Sequence, residues 1–219
     1  MARSPKPEAA KPGSAAPRPG APPYVLIATV FAGVLVLVAG LLIGLAFRDQ
    51  AQGVAGSPLA AAIGGKFTLV DQNGKAFTEA DLKGKWSLVF FGYTHCPDVC
   101  PTTLNDLSLA LDQLGDRKKN VSIVFISVDP DRDTPAVLKS YVGSFDGPIE
   151  ALTGPPDAVA QAAKDYRVYY AKHPRADGGY DMDHSALIYI MDPKGRFTAT
   201  LTPDDSSDDM AERLKKLVG

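Results

Sequence analysis

The two cysteines of this chain, Cys96 and Cys100, are separated by three residues in Tyr93-Thr-His-Cys-Pro-Asp-Val-Cys-Pro101. The spacing is C-x-x-x-C, not the C-x-x-C of a thioredoxin-type redox motif. On an ideal helix, positions i and i+4 share a face with Cβ atoms roughly 6 Å apart. Two thiolates at that separation can close on one metal ion or, after modest adjustment, on each other. Both cysteines precede prolines, and a residue before proline avoids the helical region. The pair is therefore expected in a loop or first turn, with Pro101 near the helix start. Unpaired amides at that start would lower both thiol pKa values, aiding metal binding and exchange. A lone structural disulfide is the plain alternative. Closing so short a loop adds little stability, however, and the flanking prolines are expected to hold the sulfurs at an exposed sheet edge. A functional pair is the stronger reading.

Two thiolates are soft donors that suit Cu(I), and a neutral imidazole is a reasonable third ligand. Three histidines are available. His95 adjoins Cys96, and sequence neighbours seldom converge on one ion, so it is read as packing or support for the loop. His173, in Lys172-His-Pro-Arg175, is read as solvated. His184 falls in Asp181-Met-Asp-His-Ser185, directly before an apolar run, in a loop expected to reach the same edge as the cysteines. Taken alone it would be a hydrogen-bonded surface histidine; beside a thiol pair at the same edge, ligation becomes the better reading. Met182 offers a thioether, although a methionine in such a place more often packs. Asp129, Asp131 and Asp133, in Asp129-Pro-Asp-Arg-Asp133, also reach that edge. They are open to orienting His184, to forming an acidic lip, or simply to helix capping and solvation.

The elements that must position these groups are legible from periodicity. Two short strands around Asn73-Gly74 read as a hairpin. Trp86–Gly92 and Val121–Val128 are nearly continuous apolar runs, as expected of strands buried on both faces. Leu104, Leu107, Leu111 and Leu114 recur at helical spacing and Gly115 suits the stop. Thr134-Pro135 starts a helix towards Tyr141, and further helices are expected over Asp157–Tyr166 and Ser207–Leu217. The acidic run Asp204, Asp205, Asp208 and Asp209 favours the start of the last of these. Ser185–Met191 reads as a third apolar strand, turned by Asp192-Pro-Lys-Gly195 into Phe197–Leu201. The order implies an α/β fold with a central sheet and helices on both faces. The cysteine loop then sits at the carboxyl edge of that sheet, where sites in such folds gather.

With 219 residues, 45% hydrophobic and 22% charged, the chain suits one globular domain plus appendages. Its formal charge of −2 gives no basic balance for a nucleic-acid partner. Residues 1–23 hold seven Pro and six Ala and read as a disordered leader. Residues 24–47 carry no charge. As a helix they would span roughly 36 Å, enough for a tilted crossing of a bilayer core about 30 Å thick. The run exceeds the apolar core of a cleaved secretory signal, so an uncleaved anchor is expected. Arg3, Lys6, Lys11 and Arg18 precede it and only Arg48 follows closely. The N-terminus is thus expected in the cytoplasm and the remainder across the membrane. Residues 48–63 read as a tether and 64–219 as the globular domain.

From about Gly64 to Gly219, and in the anchor, the chain resembles the Sco/SenC family, membrane-anchored proteins that deliver copper to cytochrome c oxidase. The resemblance rests on Phe90-Phe-Gly-Tyr-Thr-His-Cys-Pro-Asp-Val-Cys-Pro101, on Ser127-Val-Asp-Pro-Asp-Arg-Asp-Thr-Pro135 and on Asp183-His-Ser185. It implies a thioredoxin-like fold with an added N-terminal β-hairpin. It also implies copper, Cu(I) with Cu(II) left open, held by Cys96, Cys100 and His184, with the same cysteines able to form a disulfide. The implied partner is the copper-bearing subunit of the oxidase, at its CuA site, with an upstream copper donor or thiol reductant in addition. The implied place is the inner membrane with the domain in the periplasm, or alternatively the mitochondrial inner membrane facing the intermembrane space. A thiol–disulfide oxidoreductase that keeps the oxidase's copper-ligand cysteines reduced is the second reading. The loop before His184 lacks the cis-proline of thioredoxins, which weakens a general reductase. A peroxiredoxin-like peroxidase is disfavoured, because neither cysteine is preceded by the P-x-x-x-[ST]-x-x-C pattern.

Overall fold

Seven consecutive residues, Trp86-Ser-Leu-Val-Phe-Phe-Gly92, leave almost no polar surface, and a strand of that composition is stable only with both faces covered. The computed structural model describes Leu35 and residues 63–218. The expected leader, the expected bilayer segment (Leu35 aside) and the tether as far as residue 62 lie outside them. Among the described residues no helix is long and apolar enough to cross a membrane.

The described strands are β1 (Thr68–Asp71), β2 (Ala76–Thr78), β3 (Trp86–Gly92), β4 (Val121–Ser127), β5 (Ile149–Thr153), β6 (Tyr170–Pro174), β7 (Tyr180–His184), β8 (Ile188–Met191) and β9 (Phe197–Leu201). The helices are α1 (Val99–Asp112), α2 (Pro135–Val142), α3 (Pro156–Asp165) and α4 (Ser207–Val218). One sheet has the order β2-β1-β5-β4-β3-β8-β9, and β6 pairs only with β7. β3 runs parallel to β4 from Trp86↔Val121 to Gly92↔Ser127, and β4 parallel to β5, while β8 is antiparallel to β3. This is the expected mixed α/β, thioredoxin-like arrangement, and the expected β1–β2 hairpin extends it by pairing antiparallel to β5.

Leu88, Val89, Phe90 and Phe91 have no exposed surface. Successive strand residues face opposite ways. Accordingly, Phe91 packs on Tyr166 while Phe90 packs on Phe125 and His184. Because β3 and β4 end level, the loops following Gly92 and Ser127 emerge side by side, and Val128 N donates to Gly92 O at 2.8 Å. These two loops carry the cysteines and the three aspartates.

Three local differences from the sequence reading have physical causes. β5 lies inside the sheet, between β4 and β1, although its short run Ile-Glu-Ala-Leu-Thr gave no strand expectation; Glu150 is accommodated because its Oε2 accepts from Gln72 Nε2 at 3.2 Å. Residues 170–184 form a separate two-stranded hairpin, so His184 ends a strand instead of sitting in a loop. The apolar strand expected over Ser185–Met191 begins only at Ile188. The start of α1 agrees with the reading: the helix begins at Val99, with Pro101 in its first turn, where a proline is tolerated because its missing N–H would be unpaired anyway.

Candidate metal centre

Cys96 sits in the loop after β3 and Cys100 is the second residue of α1. Cys100 N donates to Cys96 Sγ at 3.4 Å, wrapping the loop back on the helix start. Cys100 is fully buried and Cys96 half-buried, and both are free thiols. The expectation that both sulfurs lie at an exposed edge is thus corrected for Cys100. Its burial depends on Gly92: a Cβ at that position would lie 2.8 Å from Cys100 Sγ and 2.7 Å from Phe125 Cε2. No other residue leaves the sulfur its place on the face of the sheet.

A hydrogen bond between the two thiols separates them chemically. The hydrogen bond from Cys100 to Cys96 holds the Cys96 thiol down to about 5, with backbone donors of Cys100 and Asp98 assisting against the effect of burial. The same hydrogen bond, followed by burial, pushes the Cys100 thiol far up. The sequence reading lowered both. Helix-start amides reach Cys96 alone, and the charge that Cys96 carries opposes a second charge beside it.

His184 comes from the hairpin. Its Nε2 lies 3.5 Å from Cys100 Sγ, and its Nδ1 lies 3.1 Å from Ser185 O. A carbonyl oxygen can only accept, so in the neutral ring Nδ1 carries the proton and Nε2 presents a lone pair toward the sulfurs. Tyr93 meets the imidazole edge-on at 5.7 Å and 90°, and Phe90 at 6.2 Å, fixing the ring plane. Cys96 Sγ, Cys100 Sγ and a His184 ring nitrogen all lie within 4.8 Å of one another. Two sulfurs and one imidazole nitrogen at that separation can share one soft ion after small side-chain adjustments.

The remaining candidates fall outside this cluster. His95 is exposed, with Nδ1 3.1 Å from Thr94 Oγ1. His173 is also exposed, but its Nε2 pairs with Asp183 Oδ2 at 2.8 Å instead of being merely solvated. Met182 is buried in the core beneath the hairpin. In the acidic run, Asp208 and Asp209 occupy the first turn of α4, as expected, and Asp209 accepts from Ser206 Oγ at 2.6 Å.

The three aspartates left open by the sequence have distinct partners, and His184 is not among them. Asp133 is fully buried and joins the two loops: it accepts from Thr94 Oγ1 at 2.6 Å, Thr94 N at 3.0 Å and Ser127 Oγ at 2.6 Å. Asp129, also buried, accepts from Tyr180 Oη at 2.7 Å and from Arg132 Nε. Exposed Asp131 pairs with Lys172 Nζ at 2.6 Å. Neither a simple acidic lip nor plain solvation describes this set.

The model of the SCO1/SenC family matches residues 55–219. The mitochondrial SCO1 homolog 1 of Arabidopsis thaliana is 41% identical over 157 residues, covering 71% of this chain and 47% of that protein. The chain spans about half the length of the first curated relatives it matches. Among solved structures, copper-bound ScoI of Bradyrhizobium japonicum is 52% identical with a TM-score of 0.67, covering 71% of this chain and 99% of that one. Copper-bound yeast Sco1 is 39% identical with a TM-score of 0.67, covering 72% and 88%.

Proposed function

The chain belongs to the SCO1/SenC family, and on that premise we propose that it carries copper, held by Cys96, Cys100 and His184, to the CuA site of cytochrome c oxidase. The observation that carries the reading is the convergence of two sulfurs and an imidazole nitrogen within 4.8 Å, in a chain similar to proteins solved with copper bound. Copper is cargo in this reading, not a resident cofactor. Cys96 is ready as a thiolate near neutral pH, Cys100 releases its proton as the ion enters, and His184, its Nδ1 turned to Ser185 O, offers Nε2. Half-buried Cys96 is the side from which a recipient's donors exchange in. The expected redox form is Cu(I), matched to two thiolates.

The wider setting belongs to the same proposal. Residues 24–47 anchor the chain in the inner membrane, residues 1–23 remain in the cytoplasm, and 64–219 work on the periplasmic face after the 48–63 tether; the mitochondrial inner membrane facing the intermembrane space is the alternative. An upstream copper donor or a thiol reductant would serve the site from the same side.

The asymmetry of the thiols favours a second reading, a thiol–disulfide oxidoreductase. The Cys96 thiolate would attack a disulfide in the oxidase's copper-binding subunit, breaking that S–S bond and forming a mixed disulfide. Cys100, giving up its proton, would then displace the partner's remaining sulfur. Two electrons pass to the partner, which leaves as a dithiol, and a Cys96–Cys100 disulfide remains. His184 is dispensable in that chemistry.

One comparison tests both. Full-length wild type and His184→Ala are reduced, supplied with Cu(I) and assayed for bound copper, for oxidase activity in cells, and for metal-free disulfide exchange. The copper reading expects weakened copper binding and lost oxidase activity with exchange intact. Unchanged copper binding in the variant would falsify the three-ligand site and leave the dithiol reading.

A further inference from the structure

The hairpin that carries His184 shares no ladder with the main sheet, so side chains must hold it over the cysteines. The most concentrated group of such contacts is Asp129, Arg132 and Tyr180. Buried Asp129 accepts from Tyr180 Oη at 2.7 Å and from Arg132 Nε. Arg132 Nη1 donates to Tyr180 O at 3.2 Å, and its guanidinium stacks 3.9 Å from the Tyr180 ring centroid. One arginine therefore grips Tyr180 by its backbone carbonyl and by its ring, while Asp129 takes the hydroxyl. The same guanidinium lies 5.9 Å from the Tyr93 ring, which packs edge-on against the His184 imidazole. The loop after β4 is thereby tied both to the start of β7, the strand that ends in His184, and to the aromatic wall that sets the plane of that imidazole.

We infer that Asp129, Arg132 and Tyr180 are positioning residues for the third ligand: they set how often the His184 ring stands against the cysteines, and with it copper affinity, without entering the thiol chemistry. The inference rests on the three-ligand reading above. Among the described residues, none of the three hydrogen-bonds either sulfur or His184, so their effect must pass through the hairpin. A guanidinium fork stacked on an aromatic ring is not reproduced by an ammonium. Supporting partners of metal-binding histidines typically alter affinity 10- to 100-fold when removed.

The test uses the full-length protein and three measurements: Cu(I) affinity by competition with a chromogenic chelator, nitrogen ligation by X-ray absorption of the Cu(I) form, and the metal-free reduction potential of the cysteine pair. Arg132→Ala is expected to lower Cu(I) affinity about 10-fold or more and weaken the imidazole signal, with the potential unchanged. Arg132→Lys should restore little of the loss. Tyr180→Phe, which keeps the ring and loses only the hydroxyl, should give a smaller loss and guards against misfolding of the arginine variants. A double-mutant cycle is decisive: in a His184→Ala background, Arg132→Ala should change affinity no further. An equal loss in that background, or a loss with full imidazole signal, would overturn the positioning role. If His184→Ala alone has no effect, the three-ligand reading fails first; if it does and Arg132→Ala does not, the positioning role alone fails.

Discussion

The seven-stranded sheet and the β6–β7 hairpin meet at one site but are held by different means. The sheet brings the cysteines through continuous backbone pairing: β3 is laddered to β4 and β8 on either side, and Phe90 and Phe91 are fully buried. The hairpin brings His184 through side-chain contacts from Tyr180, Met182 and the imidazole itself. One half of the site is part of the hydrophobic core, and the other half is docked upon it. Such a division gives two donors fixed in place and one that can be tuned, or lost, without disturbing the fold.

The difference is largest in local stability. Backbone amides of β3 and β4 should exchange with solvent only on global unfolding, whereas those of β6 and β7 should exchange on the order of 10³ times faster through local opening. Native-state hydrogen exchange measures this directly, and equal protection in the two regions would show that the hairpin is as integral as the sheet. A second, smaller effect comes from the core side. Gly92→Ala places a methyl 2.8 Å from Cys100 Sγ and 2.7 Å from Phe125 Cε2. Overpacking of this kind costs about 1–3 kcal/mol, so denaturant unfolding should move by that amount, and an unchanged midpoint would mean that the sulfur relocates freely.

The smallest effect separates the two cysteines without altering stability. Cys96, held down to about 5 by the hydrogen bond from Cys100, should be the thiol alkylated by iodoacetamide, at a rate constant above about pH 6. Below pH 5 its thiolate is titrated away, and the rate should fall about tenfold per pH unit. Cys100, buried and pushed the other way, should remain unlabelled throughout. Equal labelling of the two residues at pH 6 would erase the asymmetry.

Physical patterning explains which of these features the amino-acid sequence discloses. β3 and β4 stand out because strands covered on both faces must be apolar throughout, and α1 because its leucines recur at helical spacing. The Cys96–Cys100 pair declares itself by spacing, and His184 by its place before an apolar run. β5 does not stand out, since Glu150 interrupts it and the compensating partner, Gln72, is 78 residues away. The β6–β7 hairpin is obscured for another reason: Lys172, His173 and Pro174 follow one another exposed along β6, so only the five residues of β7 alternate between covered and exposed. The burial of Cys100 is equally hidden, for it depends on the missing Cβ of Gly92 in a neighbouring element. The division of labour among Asp129, Asp131 and Asp133 follows from partners on three other segments, which local composition cannot disclose.

A two-stranded sheet standing apart from its parent has a further consequence, for it offers two open rims to any extended peptide that drifts past. Such rims are templates for aggregation unless charge or proline blunts them. On β6 the residues are Lys172, His173 and Pro174; on β7, Asp181 and Asp183. Both signs occur along the outer rows, and the proline withholds an N–H where the ribbon ends. The residues that give the hairpin so weak a signature in the sequence also make it a poor seed for fibrils.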